Sequence, residues 1–204
     1  MGTVLWQLRE RAHQRLLAGE DFAPTSAPQV APTEQATLLV ANDADNSLLE
    51  ETQSLPLPQD PGTRARVVLG KLLDLYASPD AAHPVAGGAS SILQVFLLPL
   101  PASDRAAAAP APAKAAAPGT PSAGGQPTGP ELAVVNLAGK FAASHPSGLE
   151  TETLTVESIC ATLHANLPRV TQVRFLVDGA QRTSLAGHAD LTRTYLAVEA
   201  APHP

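Results

Sequence analysis

Two apolar stretches decide the fold: Ile92-Leu-Gln-Val-Phe-Leu-Leu98 and Leu132-Ala-Val-Val-Asn-Leu137, which lie on either side of an Ala/Pro-rich tract over 101–130. Each stretch has the length and the apolar content of a buried strand. The tract has almost no side chains whose burial could offset its ordering entropy, so we predict that it is disordered. Because each doubling of a loop adds only about 0.6 kcal/mol of closure cost, the two stretches are predicted to form one antiparallel hairpin with the tract as its loop.

Two helices are predicted outside this hairpin. Asp60-Pro61 is typical of an N-cap followed by proline at the first helical position, and apolar residues then recur at helical spacing as far as Ala77. A second helix is predicted over 151–167, where Pro168 marks the end. The apolar face of this second helix consists of Val156, Ile159, Cys160, Leu163 and Leu167.

Further strands are predicted at both ends of the patterned sequence. Thr37–Ala41 is a short apolar strand followed by the turn cluster 42–46, and Ser54–Pro58 alternates but carries two prolines, which restrict it to a sheet edge. Gln172–Val177 alternates as a strand and meets Asp178-Gly179, a strong turn signal. A last, weak strand is predicted at 195–198.

The order β-β-α-β-β-α-β predicts an α+β fold, an α/β sandwich in which two helices pack on one face of a small mixed or antiparallel sheet. Neither patterned block has enough apolar surface to fold alone, so we predict a single domain over 36–199 that the tract 101–130 interrupts. Residues 1–35 are predicted to form an N-terminal helix and a Pro-rich linker, and residues 200–204 a tail.

Composition limits the classes of function. The chain has 204 residues, with 13 Lys+Arg against 19 Asp+Glu and a formal net charge of −6. Mild acidity without a run of basic residues argues against a nucleic-acid partner, because phosphate binding needs a basic face. The single cysteine, Cys160, excludes an intramolecular disulfide and a metal site with several cysteines.

The N-terminus permits two interpretations. Residues 2–8 (GTVLWQL) are apolar, include Trp6 and run directly into Arg9-Glu-Arg11. They are either the last turns of a membrane anchor, with the tryptophan at the interface, or the start of a short amphipathic helix that continues to Leu17. No segment reaches the roughly 20 apolar residues that a transmembrane helix needs, and no signal-peptide pattern is intact.

The stretch Val173-Arg-Phe-Leu-Val-Asp-Gly179, followed by Leu185-Ala-Gly-His-Ala-Asp-Leu191, resembles the C-terminal signature of GerMN domains, the sporulation and germination GerM-type family. Leu132–Phe141 resembles the family segment in which an apolar strand leads to a phenylalanine. The helix over 154–167 falls at the family's second helix, and Leu38–Ala41 resembles its opening strand. The resemblance therefore covers both patterned blocks and leaves out the insertion and the N-terminal residues.

The resemblance implies a compact α/β domain, similar to the ring-building modules of secretion-like assemblies, that an N-terminal anchor holds outside the cytoplasmic membrane. Family members are linked to sporulation or envelope functions. No catalytic activity is established for the class, so the resemblance implies neither an active site nor a cofactor. This chain departs from the family in its insertion and in its incomplete anchor, and the second departure leaves a cytoplasmic location as the alternative.

Side chains that could carry chemistry also have structural interpretations. Cys160 lies on the apolar stripe of the second helix and is predicted to be buried rather than reactive. His188 and Asp190 supply too few ligands for a closed metal site, which needs about four, so no metal is predicted. Instead, we expect Gly187 to allow a tight turn in which His188 and Asp190 bind backbone groups. The acidic residues near the start of the second helix, Glu152 among them, suit its dipole.

Two functions therefore follow from the sequence, and an enzyme ranks third. The first is a non-catalytic module that presents a sheet edge or a helix face to other envelope proteins or to copies of itself, which an exposed apolar patch would favour. The second is a small-ligand or peptidoglycan-binding domain, which a concave pocket with converging polar groups would favour. The candidate ligand or interaction residues are Arg174, Asp178, Gly179, Arg182, Gly187, His188 and Asp190.

Overall fold

The computed structural model describes residues 32–101 and 129–197, which belong to one compact unit that begins at Pro32. The predicted N-terminal helix and most of its linker, the predicted disorder of 102–128 and the tail lie outside the described residues. No helix within the described ranges is long and apolar enough to cross a membrane. In chain order, the elements are β1 (Thr33–Asn42), β2 (Ser47–Pro56), α1 (Pro61–Tyr76), a short 3-10 helix (Gly88–Ser91), β3 (Ile92–Pro99), β4 (Glu131–Leu137), α2 (Gly139–Ser144), α3 (Leu149–Asn166), β5 (Val170–Val177) and β6 (Tyr195–Leu196).

Strands β3, β4, β5 and β6 form a four-stranded sheet in that spatial order. Strand β3 pairs antiparallel with β4, so that Phe96 lies opposite Val134. At the open end of this hairpin the Leu100 amide donates to the Pro130 carbonyl oxygen at 2.9 Å, and the 27 residues numbered 102–128 follow from there. The predicted pairing of the two stretches that flank the Ala/Pro tract is confirmed.

Strand β4 pairs parallel with β5, and parallel neighbours need a crossover connection. Helices α2 and α3 form this connection.

Helix α1 begins at the predicted position, where the Asp60 carboxylate accepts a hydrogen bond of 2.7 Å from the Thr63 amide and Pro61 occupies the first turn. It ends at Tyr76 with Ala77 as its C-cap, which confirms the prediction.

Strands β1 and β2 form a separate two-stranded antiparallel sheet in which Asn42 lies opposite Ser47 and Thr33 opposite Pro56. The α+β class is confirmed, but the strands divide between two sheets. The prediction of a strand at Ser54–Pro58 is wrong in its bounds, because β2 starts directly after the turn at 43–46. Most of β2 is exposed on both faces, so its sequence carries no apolar alternation that could have located it.

Helix side chains cover the outer edge of β1. The Thr37 amide donates to Asn166 Oδ1 at 3.1 Å, the Leu39 amide to Thr162 Oγ1 at 2.9 Å, and the Ala41 amide to the Tyr76 hydroxyl at 2.9 Å. These three amides recur at every second residue, as expected for the side of a strand that faces away from its partner. An unpaired strand edge invites association with other chains, and here α3 and α1 close it.

The core lies between the helices and one face of the four-stranded sheet. Ala133, Val135 and Leu137 of β4 alternate inward, as do Val173, Phe175 and Val177 of β5. Helix α1 packs against β3, and α3 contacts both β1 and β5. The interior is therefore assembled from residues on both sides of the insertion.

Replacing residues 102–128 with a short Gly/Ser linker should leave the free energy of unfolding unchanged or raise it by about 1 kcal/mol, because a shorter loop loses less entropy on closure. Urea and thermal unfolding of the variant and the parent chain measure this. A clear fall in the unfolding midpoint would show that the insertion contributes to the fold.

Candidate functional site

The turn after β5 has the geometry that its sequence predicts. Asp178 and Gly179 have φ angles of +50° and +78°, and Val177 and Ala180 exchange backbone hydrogen bonds of 2.8 and 3.0 Å across them. Two consecutive positive φ angles are the mark of a tight two-residue turn, for which Asp-Gly is a favoured pair. The turn predicted at Asp178-Gly179 is confirmed.

The turn is bound to the end of β4. Asp178 Oδ1 accepts a hydrogen bond of 2.8 Å from the Gly139 amide, and the Gly179 amide donates to Asn136 Oδ1 at 2.8 Å. A Cβ atom on Gly139 would lie 2.2 Å from Asp178 Oδ2, so only glycine leaves room for this contact. The Asp178 carboxylate is therefore engaged in joining the β5 turn to the start of α2.

A buried carboxylate organises the loop that follows. Glu152, in the first turn of α3, has no exposed surface. Its Oε2 accepts hydrogen bonds of 2.9 Å from each of the backbone amides of Ala186, His188 and Ala189. Its Oε1 accepts a bond of 2.9 Å from His188 Nδ1. Gly187, with φ at +130°, provides the backbone conformation that aims these amides at one side chain.

The hydrogen bonds determine the charge of this group. Burial raises the pKa of Glu152, but the hydrogen bonds from the Ala186 amide, from the His188 side chain and amide, and from the Ala189 amide outweigh it and lower the pKa to about 2. The carboxylate is therefore ionised across the physiological range, and all of its donors stabilise the ionised form. This arrangement binds the loop 185–191 to helix α3.

The remaining candidate residues have separate environments. Arg174 lies on β5 opposite Val134, on the sheet face that points away from the core. Arg182 is exposed. Asp190 Oδ1 accepts hydrogen bonds from the Thr192 amide at 2.8 Å and the Thr192 hydroxyl at 2.6 Å.

Of the seven candidates, His188 binds the Glu152 carboxylate, and Gly187 shapes the loop around it. The expectation that His188 binds backbone groups is wrong for its side chain, which binds a carboxylate. Glu152 itself was missed as the centre of the loop, because an acidic residue in the first turn of a helix already has an explanation in the helix dipole. The loop amides that bind Glu152 lie 34 to 37 residues further along the chain, and no local sequence pattern predicts contacts over that separation.

Three shallow cavities border helix α1. Cavities of about 400 and 210 Å³ lie between its first turn and β3, and one of about 360 Å³ lies between the helix and Leu55 of β2. The residues that line these three cavities include none of the seven candidates. The predicted loop and these concave surfaces are therefore different parts of the domain.

Cys160 is buried, with 1% of its surface exposed, and its predicted location in the core is confirmed. Burial raises the pKa of its thiol, and the neighbouring Glu157 carboxylate raises it further. A protonated thiol is a weak nucleophile. Within residues 32–101 and 129–197, no group of three or more His, Cys, Asp or Glu side chains is placed to hold a metal ion.

Fold and loop together define a small α+β domain in which Asp178, His188 and Asp190 hold its own turns and loops. The chain belongs to the family described as Germane: Sporulation and spore germination, whose model matches residues 44–183. The matched range includes Val177-Asp-Gly179 and ends before Leu185, so the second stretch of the sequence resemblance lies outside it.

Two solved structures are similar to this chain. The tandem GerMN domains of the sporulation protein GerM from Bacillus subtilis match with a TM-score of 0.38 and 13% identity, over 78% of this chain and 44% of that one. This chain thus spans less than half the length of that structure. A protein described as a lipoprotein from Clostridium perfringens matches with a TM-score of 0.32 and 18% identity, over 84% of this chain and 93% of that one. No curated protein matches the sequence.

The folded domain should lose stability as the pH falls from 4.5 towards 2. The unfolded chain has an ordinary Glu pKa of 4.5 at position 152 and the folded chain one of about 2, so in this range the unfolded state binds a proton that the folded state does not. The contribution present above pH 4.5 is about 3 kcal/mol and disappears as the pH falls through the folded value.

Urea unfolding as a function of pH measures this in the parent chain, in Glu152→Gln and in Glu150→Gln, which alters an exposed residue of the same turn. Glu152→Gln should be less stable near neutral pH and should lose less stability than the parent chain between pH 4.5 and 2. Equal profiles for the two variants would contradict the assignment to Glu152.

Proposed function

We propose that this domain is a non-catalytic interaction module of the cell envelope that binds a protein partner through the open face of its four-stranded sheet. Membership in a family described by sporulation and spore germination supports an envelope role. The observation that carries the proposal is the composition of the open sheet face.

The register of the strands defines this face, which consists of side chains that point away from the core. One row runs from Phe96 through Val134 to Arg174. The next row runs from Leu98 through Leu132 and Gln172 to Leu196. A third row joins Gln94, Asn136 and Leu176. We call the apolar members of these rows the open-face patch: Phe96, Leu98, Leu132, Val134, Leu176 and Leu196.

Four members of the open-face patch form a contiguous, accessible apolar group on β3 and β4: Phe96, Leu98, Leu132 and Val134. Leu176 lies opposite Asn136, and Leu196 lies opposite Gln172. Phe96, Leu98 and Leu196 expose 42%, 48% and 49% of their surfaces, and the other members are half-buried. Single exposed apolar residues are ordinary, but a contiguous group of this kind marks a surface that binds another molecule. Polar neighbours on the same face, Arg174 and Gln172 among them, provide the hydrogen bonds that make such a contact specific.

The rival function, binding of a small ligand or peptidoglycan by the loop 178–190, receives less support from the geometry. Asp178 and His188 are hydrogen-bonded to Gly139 and Glu152, and Asp190 caps Thr192. Recognition of a polar ligand needs converging groups in a concave site. The three cavities described above are lined by residues of α1, β2 and β3 together with Asp60, Ala89, Glu131 and Arg169.

Site-specific photocrosslinking in the producing cells tests the proposal. A benzophenone side chain at Phe96 should give a discrete protein crosslink. The same group at Leu49, which is 52% exposed on β2 of the other sheet, should not. Introducing Val134→Glu at the centre of the patch should abolish the crosslink from position 96. The variant should still unfold in one cooperative transition, because the half-buried Val134 side chain points away from the core.

The mass of the crosslinked product separates a second copy of the chain from a different protein, and both are protein partners. Equal crosslinking from positions 96 and 49, or a crosslink that Val134→Glu leaves intact, would contradict a role for the open-face patch. Sedimentation of the domain with purified peptidoglycan, abolished by His188→Ala, would favour the rival function instead.

A further inference from the structure

Three buried polar side chains from distant segments meet inside the domain. His83 and Thr155 have no exposed surface, and His145 exposes 5% of its own. His83 Nε2 lies 2.7 Å from Thr155 Oγ1, and His145 Nε2 lies 2.8 Å from the same oxygen. The other nitrogen of each ring, Nδ1, faces an oxygen: Asp43 Oδ1 at 2.5 Å for His83, and the Pro146 carbonyl at 2.8 Å for His145.

Counting protons in this cluster restricts its charge. A carboxylate and a carbonyl oxygen only accept, so both rings carry a proton on Nδ1. Thr155 has one hydroxyl proton to donate. If both Nε2 atoms were bare, two buried acceptors would compete for that single proton and one would stay unpaired, which is costly in a protein interior. The cluster is fully hydrogen-bonded only when at least one ring also carries a proton on Nε2.

The surroundings select His83 as the ring with two protons, because its Nδ1 faces a carboxylate that compensates an imidazolium charge. The chain of donors then runs from His83 Nδ1 to Asp43, from His83 Nε2 to Thr155, from Thr155 to His145 Nε2, and from His145 Nδ1 to Pro146. In this state His145 is neutral. Each polar atom of the cluster has a partner, in agreement with the pairing of buried side-chain polar atoms throughout the described residues.

A second proton changes the direction of one bond. Thr155 Oγ1 also lies 3.0 Å from the Thr151 carbonyl oxygen, one helical turn earlier. When His145 gains a proton on Nε2, the Thr155 hydroxyl can turn to Thr151 and accept from both rings. The hydrogen bonds survive, but two like charges then lie in rings whose centroids are 6.4 Å apart, and the second charge has no carboxylate against it.

We infer that Thr155 is a hydroxyl switch that couples the protonation of His145 to the packing of four chain segments, and that the domain loosens in mildly acidic solution. The four segments are the β1–β2 turn with Asp43, the connection after α1 with His83, the connection before α3 with His145, and α3 itself. The same first turns of α3 hold the loop 185–191 through Glu152, so loosening near His145 reaches that loop.

Every charged group near His145 enters this balance. Burial lowers the pKa of His145 most, the Pro146 carbonyl bond raises it, His83 lowers it, and Glu152 and Asp43 raise it, with a net shift below the ordinary value of 6.5. The edge of the Phe141 ring, 5.5 Å between centroids, completes the apolar surroundings. Tyr76 packs edge-on against His83, with 4.7 Å between centroids.

The sign of the pH effect follows from this shift. Because the folded state binds the His145 proton less readily than the unfolded chain, stability is fully present above pH 6.5 and falls as the pH drops below that value. This effect sets in as the pH falls below 6.5, whereas that of Glu152 sets in below 4.5. The two effects therefore have different onsets in one titration.

Two measurements on the intact chain test the switch. Long-range proton–nitrogen NMR of the histidine rings near neutral pH should show a proton on Nδ1 of both rings and a bare Nε2 on His145. Thermal midpoints between mildly acidic and neutral pH should fall with acidification in the parent chain. The fall should be reduced by at least half in His145→Gln and kept in His164→Gln, the matched removal of a half-buried histidine bound to the Val170 carbonyl.

Thr155→Ser should keep the ring protonation pattern, whereas Thr155→Val should remove it. If Thr155→Val fails to fold, the ring spectra of the parent chain and the Thr155→Ser variant still decide the matter. A His145 ring that is bare on Nδ1, or that is charged near neutral pH, would overturn the inference. So would a pH dependence that His145→Gln leaves unchanged.

Discussion

The hydrophobic core of the domain depends on the pairing of strand β4 with a strand on each side. One of these strands precedes the long insertion in the sequence and the other follows it. Strand β3 pairs with β4 antiparallel and β5 pairs with it parallel. Helix α1 packs on β3 and α3 contacts β5, so the β3–β4 pairing joins the parts of the core that the two main helices cover. The entropic cost of closing a loop rises only slowly with its length, which is why the insertion is compatible with this pairing.

Helix α3 then joins the rest of the structure through a stripe of polar side chains. Glu152, Thr155, Ser158 and Thr162 are all buried in it. Glu152 binds the loop 185–191, Thr155 binds His83 and His145, and Thr162 binds the Leu39 amide of β1. Buried polar groups are tolerated when every member has a partner, and such networks favour one arrangement of the chain over others. The same stripe makes the fold sensitive to pH at two points.

Much of the fold could be predicted from the sequence where the signal is local. Asp60-Pro61 identifies the start of α1, Asp178-Gly179 identifies a turn, and apolar runs identify β3 and β4. The bounds of strand β2 were not predicted, because most of its residues are exposed on both faces and it has no apolar alternation. The interactions of Glu152 and the contact of His83 and His145 with Thr155 were not predicted. They join residues tens of positions apart, and the spacing of residues in the sequence does not indicate such contacts. The open-face patch requires the strand register, which only the structure supplies.

Cleavage of the insertion tests the dependence on the β3–β4 pairing most directly. A protease site placed within residues 102–128 allows the folded chain to be cut into two fragments, each carrying one of the paired strands. We expect the cut protein to remain one complex that unfolds in a single, concentration-dependent transition. The separated fragments should each lack a cooperative transition and regain it on mixing. If either fragment alone unfolds cooperatively, the account of a single interior built from two halves is wrong.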